Sequence, residues 1–331
     1  MNSEPLRLGI LRLGTRKSPM AVSQSGEVAR QITERTGRQV EIVGVTTLGD
    51  VSREHLTQIG GTGVFVSALR ESLLRGEVDF AVHSLKDLPT GAAPGITLAA
   101  IPVRDDPRDA LVARDAAKLA DLPPGARTGT GSPRRAAQLT LLRSDVTCVP
   151  MRGNANTRLG KVRDGELDAV VLAYAGLARI GHTDLVSEIF EPDDMVPAPG
   201  QGALAVECRA DDTELAKLLA TVDHAPTRAA VTAERSLLAA LEAGCSAPVG
   251  AYAIASGADQ LHLEGIVLGV SAGSFQAPVL DSAPGSGRMV IRERGEANAA
   301  DAAGLGRELA ARMLALGAAG LMRGENTDGN E

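Results

Sequence analysis

Residues 83 to 89 read HSLKDLP, and residues 241 to 252 read LEAGCSAPVGAY. These two stretches hold the side chains best placed for chemistry. Asp87 follows directly on a strand-like apolar run, where a carboxylate can stabilise a cation developing on a substrate. Cys245 stands in a loop of small residues behind an alanine-rich helical pattern, where a thiolate could act as a soft nucleophile. Each also has a plain structural reading. An Asp just before Leu-Pro is a good turn former, and a free cysteine packs like a small hydrophobe.

Around them lie basic residues at recurring positions. Arg16 in GTRKSP, Arg134 and Arg135 in GTGSPRR, Arg152 and Arg158 in RGNANTR, and Arg179 in YAGLARIG all come just after strand-like runs, at turns or helix starts. Helix N-termini attract anions through unpaired N–H groups and the helix dipole, and Ser18, Thr130 and Ser132 add hydroxyls there. Guanidinium forks grip carboxylates two bonds at a time. The pattern points to a polyanionic ligand with several separated carboxylates or phosphates. No G-x-x-x-x-G-K-[ST] run occurs, and no G-x-G-x-x-G stands between a strand and a helix, so a nucleotide is not favoured. Lys86, beside Asp87, reads as one more anion ligand.

The elements that must position these groups are legible as alternating strand and helix patterns over the first two hundred residues. A strand near 6–14 leads to a helix with Ser18 as N-cap and Pro19 at its first position, closing near Gly37. A strand at 41–49, a polar glycine-rich stretch, a helix from 64 to 75 and a strand at 78–84 follow. Residues 101–113 read as a crossing between lobes, after which strand and helix patterns restart, with Ser132 and Pro133 opening a helix. The fold class expected is α/β: two periplasmic-binding-protein-like lobes with mostly parallel sheets, plus a smaller C-terminal α+β domain. The expected boundaries are 1–102 with 203–221 for the first lobe, including a lid at about 49–63, and 103–202 for the second lobe. The C-terminal domain takes 225–322, with one helix from about 298 to 322, and 323–331 reads as a frayed tail. Such lobes hold ligands outside the carboxyl ends of their strands.

Composition narrows the class. The chain has 331 residues, 44% hydrophobic content and a formal net charge of −7, which argues against a nucleic-acid footprint, as does 2% aromatic content with no Trp. Neither a leader pattern nor an 18-residue apolar run is seen, so a cytoplasmic protein with no membrane partner is expected. Cys148, Cys208 and Cys245 lie far apart without a C-x-x-C pair, so neither a disulfide framework nor a metal site is suggested.

Taken in order, GTRKSP, GGTGVF, AVHSLKDLP, DDPRDA, GTGSPRR, RGNANTRL, LAYAGLARIG, PAPGQGALAVECR and EAGCSAPVGAY make the chain resemble the porphobilinogen deaminase (hydroxymethylbilane synthase) family from Leu6 to the final helix. The resemblance implies a monomeric transferase that condenses four porphobilinogen molecules head to tail with loss of ammonia, then releases hydroxymethylbilane by hydrolysis. It implies a dipyrromethane cofactor held through a thioether at Cys245. Asp87 would stabilise positive charge on the pyrrole nitrogen and serve proton transfer. Arg16, Ser18, Ser84, Lys86, Thr130, Ser132, Arg134, Arg135, Arg152, Arg158, Arg179 and Gln201 would hold the acetate and propionate arms of cofactor or substrate, and Phe65 would lie against the rings.

The chain departs from the family's common residues at Leu48, Thr62 and Ala178, where basic residues are usual, and at Gly131 and Pro133. The first two remove positive charge from the expected lid. A two-lobed binding protein for a polycarboxylate is the alternative from another class, but it leaves Asp87 and Cys245 idle. A cysteine-dependent hydrolase lacks a convincing histidine base.

Overall fold

In a computed structural model of the chain, the described residues are 9–45, 63–244, 247–256, 259–269 and 290–323; at 63–65 this covers the backbone alone. The expected lid and its departures at Leu48 and Thr62 lie outside them, as do Cys245 and the tail beyond 323. The chain divides into two compact units, residues 1–105 with 202–228, and residues 106–201 with 229–331.

The first unit is built on a five-stranded sheet. Strands β1 (Leu11–Thr15), β2 (Val40–Gly44) and β3 (Phe80–Ser84) pair in parallel, with β1 between the other two. Strand β4 (Ile96–Ala100) lies at the far edge. A late strand, Leu204–Arg209, returns from the second half of the sequence and runs antiparallel between β3 and β4. Helix α1 (Pro19–Thr36) begins as its sequence dictates: the Ser18 side chain accepts from the Ala21 N–H and Pro19 opens the first turn. It ends at Gly37, whose φ of 70° is the left-handed cap that glycine takes without strain. Val28 and Ile32 on one face of α1 are fully buried beside Leu13, Phe80 and Val206. Helix α2 (Gly63–Leu74) packs Leu69 and Leu73 against Val78 and Ala81.

The second unit repeats the plan. Its sheet contains β5 (Asp109–Ala113), β6 (Arg127–Thr130), β7 (Thr147–Pro150), β8 (Ala169–Ala173) and β9 (Glu188–Ile189). The parallel pairs are β6 with β7 and β6 with β8, while β5 runs antiparallel to β8 and β9. The strand order β7-β6-β8-β5-β9 matches that of the first sheet, with β5 in the place of the returning strand β10 (Leu204–Arg209). Parallel strands thus form the heart of each sheet, and each is completed by antiparallel neighbours. The end of the expected crossing is therefore strand: the apolar run after Asp109 is buried along its whole length. Helices α3 (Pro133–Leu142), α4 (Ala155–Arg163) and α5 (Tyr174–Arg179) follow β6, β7 and β8.

Helix α6 (Thr213–Leu219) follows β10 in the first unit, and α7 (Ala225–Ala240) leads into the C-terminal part. There β11 (Val249–Ser256), β12 (Gln260–Leu268) and β13 (Val290–Asn298) form an antiparallel meander. Its core joins Leu237, Leu263, Leu309 and Met313. The single long last helix expected from sequence is two, α8 (Ala302–Ala315) and α9 (Ala318–Arg323), because Gly317 takes φ 97° between them. Among the described residues no helix is long and apolar enough to cross a membrane.

Candidate functional site

In the first unit the chemistry-bearing residues follow the carboxyl ends of β1 and β3. Arg16 and Ser18 occupy the β1–α1 turn, with Arg16 half-buried and the Ser18 hydroxyl engaged in capping. Strand β3 runs directly into one turn of 3-10 helix, Leu85–Asp87. Leu85 is fully buried and anchors that turn, leaving Lys86 and Asp87 half-buried at its surface. Ser84 exchanges hydrogen bonds with the side-chain amide of Gln24 on α1, at 3.0 and 3.2 Å, tying the end of β3 to that helix. Phe65 lies in α2, and its side chain is outside the described residues.

Beside the end of β3 sits a buried polar group that sequence reasoning missed. Glu207 on β10 is 3% exposed and receives both arms of the Arg70 guanidinium from α2, at 2.7 and 3.0 Å. His83 Nε2, one residue before Ser84, lies 3.3 Å from the same carboxylate. Burial alone would raise the Glu207 pKa, but His83 and Arg70 bring it down to about 2. The carboxylate therefore ties α2 and the end of β3 to the return strand.

In the second unit the corresponding centre is Asp109, the first residue of β5, paired in register with Ala173 at the end of β8. It is fully buried. Its Oδ2 accepts from Arg134 Nη2 at 2.7 Å, and its Oδ1 accepts from Arg135 Nε at 2.9 Å and from Gln201 Nε2 at 2.8 Å. Burial works against the charge, yet Arg134 and Arg135 hold the carboxyl at about 2. Arg134 and Arg135 occupy the first turn of α3, which Ser132 caps by accepting from the Arg135 N–H. Thr130 is buried and its hydroxyl accepts from the Ser132 N–H.

Arg134, Arg135 and Gln201, all expected among the ligand-binding residues, are brought together around Asp109. Arg134 also donates to the Val196 carbonyl at 2.6 Å, and Arg135 to the Val171 carbonyl and the Gln201 side chain. Both guanidiniums are enclosed, at 2% and 6% exposure. Arg134 Nε nevertheless remains a buried donor without an acceptor. Arg158, on α4, is half-buried; its Nε donates to the Gly153 carbonyl, and no acid pairs with it among the described residues. Burial and the nearby Arg135 both lower its pKa. Arg152 is exposed and Arg179 half-buried at the end of α5.

The turn holding these arginines is tight. A Cβ placed on Gly131 would stand 2.6 Å from the Met151 carbonyl oxygen and 3.5 Å from Arg158 Nη2. The absence of a side chain at 131, noted above as a departure from the family, thus allows the β7–α4 connection and Arg158 to close over the start of α3.

A third buried acid, Glu234 on α7, accepts from the Gly200 N–H at 2.7 Å and from the Ala253 N–H at 2.8 Å. It fastens the PGQG turn and strand β11 to the helix that leads to the cysteine loop. The signal that could have revealed Asp109 and Glu207 was in the sequence: an acid within an otherwise apolar strand, DALVA and LAVECR, must find cationic partners when buried. Cys148 and Cys208 lie in β7 and β10, and burial raises both thiols to about 11. Among the described residues no cluster of His, Cys, Asp and Glu could hold a metal ion.

The chain is similar to known proteins along most of its length. Residues 11–217 match the family model described as porphobilinogen deaminase, dipyromethane cofactor binding domain, and residues 228–315 match that of the porphobilinogen deaminase C-terminal domain. A porphobilinogen deaminase of Thermobifida fusca is 66% identical over 258 residues, 78% of this chain and 81% of that protein. Porphobilinogen deaminase 1 of Streptomyces coelicolor is 59% identical over 320 residues, 94% of this chain and 97% of that protein. Among solved structures, the methionine binding protein MetQ superposes on 64% of this chain and 89% of its own, at 11% identity and a TM-score of 0.42.

Proposed function

The chain belongs to the porphobilinogen deaminase family, and on that premise we propose how its residues divide the work of this transferase. The enzyme condenses four porphobilinogen molecules stepwise, head to tail, with loss of ammonia at each addition, onto a dipyrromethane primer, and releases hydroxymethylbilane by hydrolysis. The match of both family models along most of the chain carries this reading.

The residues of the second lobe fit a primer bearing acetate and propionate arms. Arg134 Nε is a buried donor lacking an acceptor, and Arg158 lacks an acid partner among the described residues. Carboxylates are the acceptors such guanidiniums bind best. When bound, the primer supplies the nucleophilic pyrrole carbon from which the chain grows. Arg152, Arg158 and Arg179, with Thr130, Ser132, Arg134, Arg135 and Gln201 behind them, bind and orient carboxylate arms from the second lobe. Arg16, Ser18, Ser84 and Lys86 bind carboxylate arms of cofactor or substrate, and Phe65 packs against a pyrrole ring.

Asp87 holds negative charge beside the pyrrole nitrogen, stabilising the cation that develops as ammonia departs, and it moves the proton there. Its place on a short turn anchored by buried Leu85, with Ser84 tied to Gln24, fixes the backbone from which that carboxylate extends. The primer is attached through Cys245 as a thioether. Support comes from the other two thiols, whose burial and raised pKa suit packing rather than nucleophilic attack. The enzyme is read as a cytoplasmic monomer whose partner is the small-molecule substrate.

Stoichiometry tests the assignment. Purified enzyme given porphobilinogen should release one ammonia per substrate consumed and one hydroxymethylbilane per four, and Asp87→Asn should lower kcat by about a hundredfold or more. Wild-type turnover by Asp87→Asn would refute the role given to that carboxylate.

A further inference from the structure

The buried and half-buried charges around the start of α3 do not balance. Arg134 and Arg135 share the single carboxylate of Asp109, and Arg158 stands near Arg135 without an acid of its own among the described residues. A purely structural ion pair needs one cation per carboxylate, since every extra buried charge costs free energy unless something neutralises it. Three guanidiniums against one carboxylate leave a surplus of two positive charges. One pyrrole ring with its acetate and propionate arms carries the two negative charges that match.

We propose that Asp109 is a positioning residue for this anion site, fixing where the guanidiniums at the start of α3 present their remaining donors and limiting the surplus to what one ring's pair of carboxylates neutralises. Its place suits the task. It stands at the carboxyl end of β8, beside the first turn of α3, where sheets of this kind bind ligands. Its two oxygens are filled by Arg134, Arg135 and Gln201, so each guanidinium is held from its inner side. Arg134 is braced further by the Val196 carbonyl, and Arg135 by the Val171 carbonyl. Asp109 never touches the ligand; it acts through the arginines.

The inference rests on the deaminase reading, and the experiment separates the two. Wild type, Asp109→Asn and Asp109→Glu are purified, their folded fractions measured by circular dichroism and melting, and the adduct on folded protein measured by intact mass. An adduct missing from wild type would defeat the deaminase reading itself. With wild type loaded, folded Asp109→Asn should carry the adduct on less than about one molecule in ten, because the guanidiniums lose the carboxylate that aims their donors. Asp109→Glu keeps the charge, and so the pairing that supports folding, but displaces the carboxylate by a methylene. Its loaded molecules should show KM for porphobilinogen raised about tenfold or more, with kcat changed less. A merely structural role would lower the melting temperature of either variant while leaving KM of the loaded molecules at the wild-type value. That result, or full loading of folded Asp109→Asn, overturns the proposal.

Discussion

Replacing Glu207 by Gln should flatten the acid side of the enzyme's stability curve. In the folded chain the Glu207 carboxyl lies at about 2, held down by Arg70 and His83 against the opposing effect of burial. In an unfolded chain a glutamate titrates near about 4.3. A carboxylate whose folded pKa is depressed adds stability that is complete above the unfolded value and disappears as pH falls through the folded one. Full expression of this difference is worth ~3 kcal/mol, and by pH 3 the linkage relation removes ~2 kcal/mol of it. Urea unfolding followed by circular dichroism at pH 7, 5, 4 and 3 would read this directly. Wild type should lose ~2 kcal/mol more between pH 5 and 3 than Glu207→Gln does. At pH 7 the variant should itself be less stable by ~3 kcal/mol, since Arg70 would be left without its partner in a largely buried site. Parallel acid limbs for the two proteins would show that this carboxylate is not what holds α2 and β3 to the return strand.

Three further outcomes follow from single contacts. Glu234→Ala should leave the Gly200 and Ala253 N–H groups without their acceptor, at ~1–3 kcal/mol each, and lower the melting temperature by several degrees, with Glu234→Gln less harmful. Gly131→Ala should cost ~1–3 kcal/mol, because its Cβ would meet the Met151 carbonyl at 2.6 Å, and should raise KM by shifting Arg158; an unchanged KM would show that the close approach is incidental. Native protein treated with a thiol reagent at pH 8 should show no modification at Cys148 or Cys208 until it is denatured, because thiols held at about 11 are almost wholly protonated there.

The helix starts were legible in the sequence because their determinants are local. Ser18 with Pro19 and Ser132 with Pro133 cap and open α1 and α3 through contacts within four residues. The alternation of strand and helix patterns likewise conveyed the α/β plan. What the sequence concealed is non-local. Asp109 meets Arg134 twenty-five residues on and Gln201 ninety-two residues on, so nothing near GTGSPRR shows that its arginines turn inward. Glu207 reaches Arg70 across 137 residues. Strand β5 is hidden for the same reason: it reads as part of a crossing because Pro102, Pro107 and a run of charges precede its five buried residues. Gly317, which divides the last helix, has too little local contrast in an Ala/Gly/Leu-rich stretch to announce its positive φ.

The account depends most on a primer joined to one sulfur, and intact mass of protein produced in a haem-competent host tests that directly. Wild type should exceed the mass of the bare chain by two linked pyrrole units, and Cys245→Ala should show the bare mass and no turnover. A wild-type protein at its bare mass that still makes hydroxymethylbilane, or an alanine variant that retains the added mass, would contradict it.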